Sequence, residues 1–369
     1  MRVLLVGAYF PPYQTPRAFR LYELAKELAK TNEVTVYALL GDFDYSSMEN
    51  ETNITIKSLG KSKYGNEDST RKKKRSLFNS LISHTIGKWL LFPTIEFKGL
   101  VYKVIKKEYR NFDLIISIAY PHPVHWGVMK AKKEVLKKGF TFPIWISDCG
   151  DPFMGNVFTP PPFYFKSIEK EWGTMTDYIT IPVEGARKAY FDDVQDKIRI
   201  IPQGFNLEYH NDNYQGNSIP TFVFAGSTTK NLRDPDRFLK YLATKDIPFK
   251  FHVYTRDIKF FDDYKIMLGD KLSVHSFVSR EEILGIMSKA DFLVDIANES
   301  SVQKPSKLID YTIAGRPILE ITSSFNEGSI VDEFLAGDYT RAMLPIDISE
   351  YDIKNVARSF LNLARRKKQ

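Results

Sequence analysis

Three stretches of this chain gather acids, bases and glycines at spacings that suit ligand chemistry. Ser147-Asp-Cys-Gly-Asp-Pro-Phe153 sets Asp148 and Asp151 three apart beside a glycine. Carboxylates on a loop after a strand can accept hydrogen bonds from sugar hydroxyls or take a proton; the plainer reading is a turn capped by Asp151-Pro152. Tyr120-Pro-His-Pro-Val-His125 puts His122 at the cap of a helix that Pro123 begins, within reach of a ligand, and the plainer reading is a structural cap. A metal would need further ligands near these two histidines, and none cluster with them. Ser300-Ser-Val-Gln-Lys-Pro-Ser-Lys-Leu-Ile-Asp310 brings Lys304, Ser306 and Lys307 to the start of a helix, with Asp310 one turn on. A cation there opposes the helix dipole unless an anion joins it.

Two more loops belong with these. Gly226-Ser-Thr-Thr-Lys-Asn-Leu-Arg233 offers Gly226 for close backbone approach and Lys230 and Arg233 for a diphosphate. Ala8-Tyr-Phe-Pro-Pro-Tyr-Gln-Thr-Pro-Arg17 joins the first strand to a helix N-terminus, where Pro12, Thr15 and Arg17 can meet an anion or a sugar hydroxyl. Thr15 suits the N-cap and Pro16 the first helical position. Neither a G-x-G-x-x-G nor a G-x-x-x-x-G-K-[ST] motif is present, which argues against a nicotinamide dehydrogenase and a P-loop enzyme.

The elements that must position these loops alternate between strand and helix. Strands are expected at Val3–Val6, Val34–Leu39, Ile54–Ser58, Asp113–Ile118, Pro143–Ser147, Tyr178–Ile181 and Lys197–Ile201. After a polar, aperiodic break at 202–218 the pattern restarts with Thr221–Ala225, Phe249–Tyr254, Leu272–His275, Phe292–Asp295 and Pro317–Ile321. Helices are expected at Pro16–Lys30, Asp234–Ala243, Ser279–Lys289, Ser306–Ala314, Ser329–Leu335 and Glu350–Arg366. Alternation of this kind gives parallel sheets covered on both faces. It predicts an α/β protein of two facing Rossmann-like domains with a central cleft, residues 1–203 and 218–349, and a last helix in 350–369 returning to the first domain.

Composition agrees with a globular chain of 369 residues, 43% hydrophobic and 26% charged. The lone cysteine cannot form an intrachain disulfide, and with an N-terminus that reads as a buried strand it points to a cytoplasmic protein. The formal charge of +7 is compatible with an anionic ligand or surface. Arg71, Lys72, Lys73, Lys74 and Arg75 precede an amphipathic stretch that ends near Trp89 and Phe92, a pattern suited to peripheral attachment at an anionic membrane. Aromatics are not spaced as an RNA stacking platform, so nucleic acid is not an expected partner.

On Phe10-Pro-Pro with its Arg-bearing helix, Ile200-Ile-Pro-Gln-Gly-Phe-Asn206, Pro305-Ser-Lys-Leu-Ile-Asp-Tyr311 and Ala314-Gly-Arg-Pro317, the chain resembles a GT-B glycosyltransferase of glycosyltransferase family 4, of the bacterial surface-polysaccharide type. The resemblance implies a retaining hexosyltransferase. Its C-terminal half would bind a nucleotide-sugar donor and its N-terminal half a glycan acceptor carried on a lipid, at the inner face of the plasma membrane. It also implies that basic residues and helix dipoles, with no metal cofactor, stabilise the leaving diphosphate. Asp310 takes the second acidic place of the family motif, while Val302 stands at the first, with Glu299 as the nearest substitute. Two other classes fit the same residues: a nucleotide-sugar epimerase of the same fold, and a non-catalytic glycosyltransferase-like subunit.

Overall fold

The computed structural model describes residues 1–13, 15–62, 87, 89–157, 159–208, 214–228, 233–297 and 307–366. The chain divides into two compact units, Met1–Asn206 with Ser349–Gln369, and Leu207–Ile348.

The first unit begins β1 (Arg2–Tyr9), α1 (Pro16–Ala29), β2 (Glu33–Leu39), α2 (Ser46–Thr52), β3 (Ile54–Ser58) and α3 (Glu96–Glu108). It continues β4 (Leu114–Ala119), α4 (Pro123–Lys137), β5 (Ile144–Cys149), α5 (Lys166–Met175), β6 (Tyr178–Ile181) and β7 (Ile198–Ile200). Its seven strands lie in the order β3-β2-β1-β4-β5-β6-β7, every pair parallel. β4, Leu-Ile-Ile-Ser-Ile-Ala, is buried along its whole length, as a central strand covered on both faces must be. The stripe Ala18, Leu21, Leu24, Ala25 and Leu28 on α1 is buried at the spacing the sequence predicts. Thr15 Oγ1 accepts the Ala18 N–H at 3.2 Å and Pro16 opens the helix.

The second unit runs β8 (Thr221–Ala225), α6 (Asp236–Ala243), β9 (Lys250–Tyr254), α7 (Asp262–Leu268), β10 (Leu272–His275), α8 (Arg280–Ser288), β11 (Phe292–Ile296), α9 (Lys307–Ala314), β12 (Ile318–Ile321) and α10 (Gly328–Leu335). Its sheet order is β10-β9-β8-β11-β12, again all parallel. The last helix, α11 (Ile353–Arg366), belongs to the first unit. There Ile353, Val356, Phe360, Leu363 and Ala364 share a core with Leu21, Leu24 and Leu28.

Both sheets have Rossmann order, and each reverses direction once, between β1 and β4 and between β8 and β11. Beyond the carboxyl ends of those strands an open α/β sheet leaves room for a ligand. Four helices, α2, α3, α5 and α7, were not singled out by periodicity. One boundary matters more: β5 runs two residues past the expected Ser147, so Asp148 lies inside a strand and not on the loop after it.

Candidate active site

Strand extension decides the fate of Asp148, which is 2% exposed. Its oxygens take a two-pronged bond from Arg20, Nε to Oδ2 at 3.0 Å and a terminal nitrogen to Oδ1 at 2.8 Å. Thr180 Oγ1 donates a third bond at 2.7 Å. Arg20 also donates to the carbonyls of Pro202 and Ile201 and lies against the Phe360 ring. Burial alone would raise the Asp148 carboxyl, but Arg20, the bonds it donates and Thr180 hold it below the usual range. The expectation that Asp148 contacts an acceptor is therefore corrected. Its oxygens are spent on joining α1, β5, β6 and the segment after β7, and no sugar can reach them.

Asp151, on the loop after β5, is 65% exposed at its side chain and pairs with Arg17 at 3.1 Å. Gly150 makes this possible: a Cβ there would stand 1.5 Å from the Arg17 guanidinium. Pro12 and Thr15 belong to the neighbouring β1–α1 loop, where the Thr15 oxygen is used as the helix cap. His122 is only 4% exposed, its side chain makes no cap bond, and neither ring nitrogen has a hydrogen-bond partner among the described residues. Burial pushes the ring down to about 4, partly offset by Asp151 and reinforced by Arg17. It is neutral at pH 7 and so offers one donor and one acceptor. Its neighbour His125 is a core residue. Trp145 Nε1 donates to Ser117 Oγ at 2.8 Å, and the same hydroxyl shares a hydrogen bond with His125 Nδ1 at 2.7 Å. His125 Nε2 lies 3.4 Å from Cys149 Sγ, and the ring stacks on Trp172. Burial pushes the Cys149 thiol up, which leaves it protonated and unreactive.

Glu169 on α5 escaped the sequence reading. It is 3% exposed; Oε2 accepts the Met154 N–H at 2.8 Å and Oε1 has no partner among the described residues. Burial pushes its carboxyl up to about 7. It holds the far side of the loop that carries Asp151.

In the second unit, Lys307 and Asp310 are both paired. Lys307 Nζ bonds the Ile296 carbonyl at 2.8 Å and forms a salt bridge with Asp295, which is 1% exposed at the end of β11. Burial lowers the Lys307 ammonium, Asp295 opposes that shift, and Arg233 adds to it, so Arg233 lies within electrostatic reach. Asp310 accepts from Arg280 Nε at 2.8 Å. The cation beside it is Arg280; Lys307, one turn back along the helix, is paired with Asp295. Burial raises the Asp310 carboxyl and Arg280 pulls it back. Tyr311 pins α9 to the switch point: its hydroxyl donates to the Val294 carbonyl at 3.0 Å and accepts the Ala225 N–H at 3.1 Å. Gly226 follows β8 with φ +155° and its N–H bonds the Tyr254 carbonyl. Two residues on, Thr228 Oγ1 is buried with no hydrogen-bond partner among the described residues. Lys230, Lys304, Ser306, Glu299, Val302 and the run Arg71–Arg75 lie outside the described residues. Trp89 is 54% exposed, and its carbonyl accepts from Tyr164. Among the described residues, no helix is long and apolar enough to cross a membrane, and no three His, Cys, Asp or Glu side chains gather as a metal site.

Arg20 and Asp295 could have been found from sequence. Arg20 is a cation in register with Leu24 and Leu28 on the buried stripe of α1, and Asp295 is an acid inside an apolar strand. Each position demands a partner of opposite charge.

No family model matches the chain, and no curated protein matches its sequence. Solved structures do match its fold along its full length. A glycosyltransferase from Rickettsia africae aligns with a TM-score of 0.56 at 14% identity, over 100% of this chain and 96% of that one. Anabaena HepE in complex with UDP-glucose aligns at 0.54 and 9% identity, over 99% and 100%. A candidate UDP-N-acetylglucosamine 2-epimerase from Listeria monocytogenes aligns at 0.55 and 12%, over 100% and 97%. At these identities the likeness establishes the fold alone: an α/β chain of two Rossmann-like units of the GT-B type.

Proposed function

We propose that the protein is a retaining glycosyltransferase of the family 4 type, moving a hexosyl group from a nucleotide sugar to a lipid-linked glycan acceptor. One observation carries the reading: in each unit the chemistry-bearing side chains collect beyond the carboxyl ends of the strands at the switch point, cationic in the second unit and hydrogen-bonding in the first. Residues 218–349 are the donor part. Gly226, Thr228, Arg233 and Lys307, with Lys230, Lys304 and Ser306, hold the diphosphate, and Asp310 accepts from the ribose hydroxyls. Residues 1–203 are the acceptor part, completed by the helix in 350–369. Pro12, Thr15, Arg17, Asp151 and neutral His122 orient the acceptor, while the buried Asp148–Arg20 pair holds the scaffold together. In transfer the bond from the anomeric carbon to the diphosphate breaks, the acceptor oxygen bonds the same face, and its proton passes to the leaving phosphate. The cations stabilise charge as it builds there, so neither a dedicated base nor a metal is required. Arg71–Arg75 and Trp89 fit attachment at the cytoplasmic face of an anionic membrane.

HepE was captured with UDP-glucose, which makes uridine sugars the first donors to try. Thermal shift against UDP-, GDP-, ADP- and dTDP-sugars in excess EDTA tests the donor reading. At a hundred times Kd a true donor stabilises the fold by about 2.7 kcal/mol. A shift with none of the four overturns the reading, and one abolished by EDTA and restored by manganese overturns its metal independence. The epimerase-like neighbour keeps a second reading open. An epimerase converts the sugar nucleotide with no acceptor present, whereas a transferase consumes it only when acceptor is added. A non-catalytic subunit, suggested by Val302 at the first acidic place, does neither.

A further inference from the structure

Between Glu96 and Lys138 the sequence holds ten lysines and arginines against four acids, so this one stretch carries +6 of a total formal charge of +7. Folding concentrates that charge. On α3 and the turn after it, exposed Lys103, Lys107 and Arg110 follow the spacing of one helical face. On α4, exposed Lys130, Lys133 and Lys137 do the same. The helices are pressed together at Gly127, where a Cβ would stand 2.7 Å from Val101. They are laced by Tyr102, which donates to Glu134 at 2.8 Å, by Lys106, 3.0 Å from Glu134, and by Lys130, 4.2 Å over the Tyr102 ring. The two cationic rows therefore share one surface.

Pairing does not cancel it. Lys106 is paired with Glu134, Lys132 with Asp177 and Lys133 with Glu171. Lys103, Lys137 and Lys138 have no acidic partner among the described residues, and Lys107 has only its neighbour Glu108 at 3.7 Å. At the end of α4 the chain turns at Gly139 with φ +76°; Phe140 after the turn is 48% exposed and Leu136 before it 45% exposed. Arg110 stacks 4.7 Å from the Phe140 ring and donates to the Tyr109 hydroxyl at 3.0 Å. Lys106, Lys107, Arg110, Lys138 and Phe140 line one groove.

We propose that this α3–α4 face docks on an anionic bilayer, with lipid phosphates in the groove around Arg110 and with Leu136 and Phe140 at the acyl boundary. Two features choose a bilayer over nucleic acid. The cations are spread over the faces of two packed helices, and the exposed apolar groups are an aliphatic and one aromatic, not a series of stacking rings. The inference rests on the membrane reading above and gives it a surface separate from Arg71–Arg75; it is independent of the donor reading.

The test floats the full chain with phosphatidylcholine vesicles, with and without phosphatidylglycerol. Lys103→Gln, Lys107→Gln, Lys137→Gln and Lys138→Gln together should weaken binding to the anionic vesicles by several-hundred-fold at low salt, from about 1 kcal/mol per cation. Phe140→Ser, which removes no charge, should weaken binding in high salt as well. The nucleotide-sugar thermal shift should be the same in all variants as in wild type, which separates this inference from the donor reading. Undiminished vesicle binding by the four-fold variant would overturn the proposal. So would equal binding to neutral vesicles, or release of the vesicles by short RNA at equal charge.

Discussion

Asp148→Asn should destabilise the first unit and act on catalysis only through that loss. The substitution keeps shape but removes the charge opposite Arg20, whose guanidinium is 3% exposed. Arg20 would then be left in the core with only the carbonyls of Pro202 and Ile201 and an amide oxygen. Removing one partner of a buried pair costs about 3–5 kcal/mol, because the other charge stays behind unpaired. For a unit of this size 1 kcal/mol is about 2–4 °C, so the melting midpoint should fall by roughly 6–20 °C. Arg20→Met should cost about as much. The double variant should cost less than the sum by at least about 2 kcal/mol, since neither charge is then stranded.

The assay is selective by a gift of composition. All four tryptophans, Trp89, Trp126, Trp145 and Trp172, are in the first unit, so their fluorescence follows its unfolding in urea without the second unit. Acid gives an independent check. The folded Asp148 carboxyl is depressed, so its contribution is full above about pH 4, its ordinary range, and is lost as pH falls through the lower folded value. If Asp148→Asn unfolds at the wild-type urea concentration yet abolishes transfer at saturating donor, Asp148 touches substrate and the scaffold argument fails.

Glu169→Gln should flatten a pH trend. The carboxyl titrates near 7 in the fold against an ordinary 4.5, so the wild type loses about 3 kcal/mol as pH rises from about 4.5 through 7 and the variant does not; urea midpoints of both at pH 5 and pH 8, subtracted, read this alone. Gly150→Ala should swing the flexible Arg17 end away from Asp151 and change stability by less than about 1 kcal/mol, as expected for an exposed pair, while lowering transfer at saturating donor about tenfold or more. Asp151→Asn should lower transfer by about a hundredfold with donor affinity unchanged; loss of donor affinity alone would place that loop wrongly. Asp310→Ala should weaken nucleotide binding about 10- to 100-fold, yet barely affect a 2′,3′-dideoxy nucleotide, because a charged acceptor contributes about 1.5–3 kcal/mol per hydroxyl bond. Equal weakening of both nucleotides would make Asp310 only the partner of Arg280.

Sequence periodicity was enough for the fold because buried parallel strands and amphipathic helices are local patterns. All twelve strands have a counterpart in the sequence, and Thr15 and Pro16 start α1 as their chemistry requires. It failed where a side chain's role depends on what the fold brings opposite. Asp148 reads as a loop acid until β5 is seen to continue through it, and then Arg20, 128 positions away, defines it. Asp310 shows the same limit. Its spacing from Lys307 is one turn, but Lys307 turns to Asp295 at the end of β11 and Arg280 arrives from α8. Glu169 had no local signal at all, since a glutamate four residues into an amphipathic helix is ordinary until the loop bearing Met154 folds over it.

The pairing in the second unit bears on how it would take an anion. A cation held by a carboxylate is fixed in position, and it is only partly neutralised because a carboxylate and an ammonium leave further hydrogen-bonding directions open. Lys307 is held this way by Asp295, with the Ile296 carbonyl as a second anchor; burial is the main cause that disfavours its charge, and Arg233 adds a smaller repulsion. A diphosphate placed beside the two would remove that mutual repulsion without moving Lys307. Little reorganisation would be needed as charge develops on a leaving group, which is the condition under which fixed cations stabilise a transition state most. The same reasoning gives Asp295 a part it was not assigned from sequence: Asp295→Asn would free Lys307 from its anchor, and the loss should fall on transfer more than on donor binding.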